Sequence, residues 1–110
     1  MEIDKETEKQ IQELQILEQN LQNILMQKQA IELELSEIEN ALIELKKTQE
    51  DVFKIVGQIM IKSSKDELSK DLEEKQKLLS VRLKTLENQE KSLSKSSEEL
   101  RETVLSKIQK

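Results

Sequence analysis

Asp51-Val52-Phe53-Lys54-Ile55-Val56-Gly57-Gln58-Ile59-Met60-Ile61-Lys62-Ser63-Ser64 interrupts a sequence that otherwise reads as helix, and its reading decides the fold. The stretch has no heptad spacing and gathers β-branched and aromatic residues around the only glycine of the chain. Two short runs, 52–56 and 59–62, flank Gly57-Gln58. Glycine in the first position of a two-residue loop suits a type II′ β-hairpin. A buried helix segment is the alternative reading. Ser64-Lys65-Asp66-Glu67 then predicts a helix start, with Ser64 as N-cap and Glu67 as its capping-box partner.

Upstream of the hairpin the sequence keeps a heptad. Position a falls on Leu14, Leu21, Lys28, Leu35 and Leu42, and position d on Leu17, Ile24, Ile31, Ile38 and Leu45. All but Lys28 are Leu or Ile over five heptads, which is a coiled-coil seam, and Lys28 reads as a register device within it. Downstream, Leu72, Leu79, Leu86, Leu93 and Leu100 recur every seven residues. Their companion row is Gln76, Leu83, Glu90, Ser97 and Val104, mostly polar. Leu78 and Val81 are expected to widen this stripe. So uneven a seam suits one strand of a hairpin whose partner supplies the stronger seam. The expected organisation is one unit over 1–110: helix about 5–47, β-hairpin about 52–62, helix about 65–108, with the two helices antiparallel.

Composition agrees. The 110 residues include no Pro, Cys, His, Trp or Tyr, and Phe53 is the one aromatic residue. Without Cys or His there is no thiol nucleophile, disulfide, zinc site or imidazole catalysis. One glycine cannot build a phosphate-cradling loop. The expectation is therefore no enzyme, no catalytic residue, no metal and no cofactor. The abundant carboxylate pairs read as solvated helix faces. Residues 1–55 hold 6 Lys/Arg against 13 Asp/Glu and residues 56–110 hold 12 against 10, so an acidic half is expected to lie against a slightly basic one. Too little positive charge and no stacking aromatics argue against nucleic acid. No run of 18 apolar residues argues against a membrane span. The N-terminus lacks a secretory h-region, so the expectation is a cytoplasmic protein.

Two features point to interaction. In the expected register Val52, Val56, Ile59 and Ile61 share one hairpin face with Lys54, and Phe53, Ile55 and Met60 share the other with Lys62. Two strands cannot bury two apolar faces, so assembly with other chains is expected through Val52, Phe53, Ile55, Val56, Gly57, Ile59, Met60 and Ile61. The alternative is a hairpin folded back on its own helices, which covers one face only. At the helix ends, Ile11, Leu14, Ile16 and Leu17 accompany Leu100, Val104, Leu105 and Ile108, more apolar side chains than a two-helix seam uses. They read either as a contact surface or as an untidy helix end.

Three segments carry a resemblance to a known family. Leu21-Gln22-Asn23-Ile24-Leu25-Met26-Gln27-Lys28-Gln29 is similar to the Gln-rich first helix of β-type prefoldin subunits. The 51–62 stretch is similar to their hairpin, with an aromatic-Lys pair ahead of a Val-Gly turn, although the family more often has Tyr where Phe53 stands. Thr85-Leu86-Glu87-Asn88-Gln89-Glu90 is similar to their second-helix signature. The single hairpin matches the β type; the α type is longer and has two. The resemblance implies a hexamer of two α-type and four β-type subunits, with hairpins joined into an intersubunit β-barrel platform. It further implies helix tips that hold non-native clients without ATP and pass them to a group II chaperonin. Glu98, Glu99 and Glu102, beside the helix end, would be the acidic contact for that chaperonin. A structural or tethering coiled coil with a fixed partner is the competing class.

Overall fold

Between the Leu and Ile positions the sequence places Glu, Gln, Lys and Asn, with no proline to stop a helix. Helix α1 accordingly runs Lys5–Lys47 and helix α2 Lys65–Ile108. The computed structural model describes residues 3–108. Each helix carries acidic residues in its first turn (Glu6 and Glu8; Asp66 and Glu67) and lysine in its last, complementing the helix dipole. Both starts are capped. The Thr7 backbone N–H donates to Asp4 Oδ1 at 2.7 Å, and the Glu67 N–H to Ser64 Oγ at 3.1 Å. The Glu67 carboxylate accepts the Ser63 hydroxyl at 3.4 Å.

Strands β1 (Val52–Val56) and β2 (Ile59–Ser63) pair antiparallel, with Val56 opposite Ile59, Ile55 opposite Met60 and Lys54 opposite Ile61. Gly57 has φ +63° and no other described residue has positive φ, so Gln58 is on the negative side. That combination fits the expected type II′ turn and excludes type I′, which needs positive φ at both loop residues.

The chain forms two compact units: residues up to Gln29 together with those from Lys84 onward, and Ala30–Leu83. In the first, the terminal unit, Ile24, Leu86 and Val104 are buried, and Thr7 and Ser97 with them. Its ion pairs show antiparallel helices, because numbers rise along α1 as they fall along α2. Glu6 pairs with Lys107 at 3.9 Å, Glu18 with Arg101, and Lys28 with Glu90 at 3.1 Å. In the second, the hairpin unit, Ile31, Ile38 and Leu79 are buried and Glu34 pairs with Lys75 at 3.5 Å.

The architecture is mostly α: two long helices joined by one central antiparallel β-hairpin. The polar companion row of α2 does turn inward, from half-buried Gln76 to buried Ser97 and Val104. Leu78 and Val81 depart from expectation. They are exposed, because each stands off both seam rows on the outer side of α2.

Candidate functional site: the hairpin and the helix ends

Alternation along β1 and β2 sends successive side chains to opposite faces. Val56 and Ile59 therefore share one face, and Ile55 and Met60 the other. All four are exposed, as are Phe53 and Ile61, while Val52 is half-buried. A groove of about 540 Å³ runs between β1 and the nearby helix turns, lined mainly by Ala41, Leu45, Val52, Phe53, Leu68 and Leu72. Of the apolar hairpin residues only Val52 is half-buried, so neither face is covered. Lys54 reaches Asp71 on α2 at 3.8 Å and Lys62 reaches Asp51 at 3.6 Å.

The helix ends are divided differently. Val104 is buried in the seam, and Ile11, Leu14, Leu17, Leu100 and Ile108 are half-buried. Among these eight only Ile16, at 58% exposure, and Leu105, at 46%, are exposed. Leu25 and Met26 are also exposed in this unit. They are absent from the candidates drawn from the sequence, although their places beside and opposite the a/d rows were a readable signal. Glu98, Glu99 and Glu102 are exposed, and Glu98 lines a groove with Glu18 and Arg101. Asp4 sits at the start of α1. Hydrogen bonds from Thr7, its hydroxyl first and its backbone N–H second, hold the Asp4 carboxyl below its ordinary range, with Lys107 adding a smaller attraction.

Among the described residues no group of acidic side chains is placed to hold a metal ion, and no helix is long and apolar enough to cross a membrane. The site is a set of open apolar side chains on a coiled-coil frame, whose chemistry is non-covalent contact.

A single open hairpin between two long helices places the chain among coiled-coil subunits that work by contact. More narrowly, it belongs to the prefoldin family of chaperone subunits: the family model "Prefoldin subunit" matches residues 8–110. The chain is 39% identical over 98 residues to prefoldin subunit beta of Thermococcus kodakarensis, covering 87% of this chain and 84% of that protein. It is 42% identical over 86 residues to prefoldin subunit beta of Pyrobaculum islandicum, covering 76% and 69%. The crystal structure of the prefoldin beta subunit from Thermococcus strain KS-1 superposes with a TM-score of 0.88 at 34% identity, covering 99% of this chain and 97% of that one.

Proposed function

We propose that this chain, folded as one unit, is a β-type subunit of a cytoplasmic prefoldin hexamer made of two α-type and four β-type subunits. In this reading the complex holds non-native proteins without ATP and passes them to a group II chaperonin. The observation that carries it is the hairpin. Both its faces are apolar and exposed in the single chain, and an isolated two-stranded sheet is marginal in water. Joining hairpins of several chains into a barrel covers both faces at once. Clients bind at the helix ends through exposed Ile16 and Leu105 and half-buried Ile11, Leu14, Leu17, Leu100 and Ile108, with Val104, buried in the seam, supporting that surface from beneath. Non-directional apolar contact suits any unfolded sequence, and several weak ends acting together raise the holding strength. Glu98, Glu99 and Glu102 supply an acidic contact for the chaperonin. Neither nucleic acid nor membrane has a part in this scheme, and no residue catalyses a reaction.

The test is the mass in solution of the chain with and without an α-type subunit, paired with an aggregation assay on unrelated unfolded proteins. A defined hetero-oligomer that suppresses aggregation supports the reading. A complex that assembles but leaves aggregation unchanged favours a tethering coiled coil instead.

A further inference from the structure

Lys28 is the one charged residue among the ten a and d positions of α1, and Glu90 is the one acidic residue among the five in the polar companion row of α2. The structure brings the two together. Lys28 Nζ lies 3.1 Å from Glu90 Oε1 and 3.5 Å from Oε2, and the side chains are only 18% and 27% exposed. Each is preceded by four residues by a buried apolar side chain, Ile24 on α1 and Leu86 on α2. Both charges therefore sit within the seam of the terminal unit.

We infer that the Lys28–Glu90 pair is a register lock, which admits one alignment of α1 with α2 and bars α1 from pairing with the α1 of a second copy. Nine Leu/Ile positions in five heptads form a seam that any similar seam can satisfy. Apolar contact is non-directional, so the Leu and Ile rows alone do not distinguish one alignment from another a heptad away. The charges do. A slip of one heptad in either direction replaces Glu90 opposite Lys28 with Ser97 or Leu83. Glu90 in turn exchanges Lys28 for Leu21 or Leu35. Each slip parts Lys28 from Glu90 and sets each of them opposite an uncharged seam residue, and separating a partly buried ion pair is costly.

The same logic excludes a second copy. In a parallel α1–α1 pair with matched heptads, position a meets position a, and Lys28 meets Lys28. In an antiparallel α1–α1 pair, a meets d, where every residue from Leu17 to Leu45 is Leu or Ile. Neither arrangement sets a carboxylate at the seam position facing Lys28. The polarity of the pair strengthens the point. In the terminal unit Glu6 and Glu18 on α1 meet Lys107 and Arg101 on α2, whereas at Lys28 and Glu90 the signs are reversed. Only the native alignment satisfies all three.

The chain has no cysteine, so spin labels can be placed freely. Labels at Gln22→Cys and Ser94→Cys, residues that line one groove of the terminal unit, read the intrachain alignment by dipolar spectroscopy. A single label at Gln22→Cys reads pairing between copies. The parent should give one narrow intrachain distance. The double variant Lys28→Leu with Glu90→Leu should melt no lower than the parent, yet show a second intrachain distance or a new intermolecular signal. The charge swap Lys28→Glu with Glu90→Lys should restore the single distance. A Leu/Leu variant that keeps one narrow distance and no intermolecular signal overturns the inference. So does a swap that folds without restoring the parent distance.

Discussion

Ile55 and Met60 face each other across the hairpin, and both stand open, at 71% and 65% exposure. A cross-strand pair of this kind stabilises a sheet by less than about 1 kcal/mol, so burying it in the proposed assembly would contribute more than the pairing itself. Substituting Ile59 and Ile61 by Lys on one face, or Ile55 and Met60 on the other, should leave the helical circular dichroism of the single chain nearly unchanged, because exposed positions tolerate change within roughly 0.5 kcal/mol. Light scattering should then show the complex with an α-type subunit lost. Retention of the full mass by both double variants would contradict hairpin assembly.

Gly57 is held at φ +63° with nothing within 4 Å of where a Cβ would stand. Its requirement is conformational rather than steric crowding. Gly57→Ala should destabilise the hairpin by about 1–2 kcal/mol, the cost of placing an L-residue on the left-handed side. D-alanine at the same position should be accepted. Amide exchange of β1 and β2 in the two variants provides the comparison.

Ile16 and Leu105 are exposed, whereas Ile24 is buried. Ile16→Ser and Leu105→Ser should therefore leave the melting temperature in place while modestly reducing protection of an aggregating client. Ile24→Ala should lower stability by about 2–5 kcal/mol. If the serine variants protect fully even in combination, the client surface lies elsewhere.

Asp4 caps α1 with its carboxyl held below the ordinary range by Thr7. A depressed native pKa contributes stability that is present above the unfolded value and is lost as pH falls through the native one. Acidification from about pH 5 to pH 2 should loosen the first turn of α1, seen as faster exchange at the Thr7 amide. Asp4→Asn keeps a capping oxygen and should remove that part of the pH dependence.

Glu18 and Arg101 form an exposed pair, and Glu98, Glu99 and Glu102 are exposed beside it. Exposed ion pairs contribute roughly 0–1 kcal/mol and are screened within about 10 Å at 0.1 M salt. Raising salt should weaken chaperonin capture, measured by surface binding, while aggregation protection by apolar contact persists. Equal loss of both would place the client contact on charge.

The seam and the hairpin were readable because each rests on local spacing. Leu14 to Leu45 declares a period of seven, and Gly57-Gln58 between two β-branched runs declares a tight turn in any context. Asp4 went unread as a cap because its signal is a single side chain three residues from Thr7, with no apolar run beginning beside it. The helix-end candidates show a different limit. Val104 and Leu105 are neighbours in the sequence, but one is buried and the other exposed. That difference depends on which side of α2 meets α1, and a polar companion row left it ambiguous. Leu78 and Val81 were misplaced for the same reason. What the two surfaces bind is not written in spacing at all, since apolar capture asks for no particular residue.

Each face of the hairpin bears one lysine, Lys54 on one and Lys62 on the other, and each lysine has an aspartate of its own chain in reach, Asp71 and Asp51. The cations therefore arrive already answered. A neighbouring sheet laid over either face need bring no acid to meet them, and two such faces brought together do not confront bare like charges. In the proposed assembly, neighbouring hairpins would then be matched by strand shape and side-chain fit rather than by opposite sign.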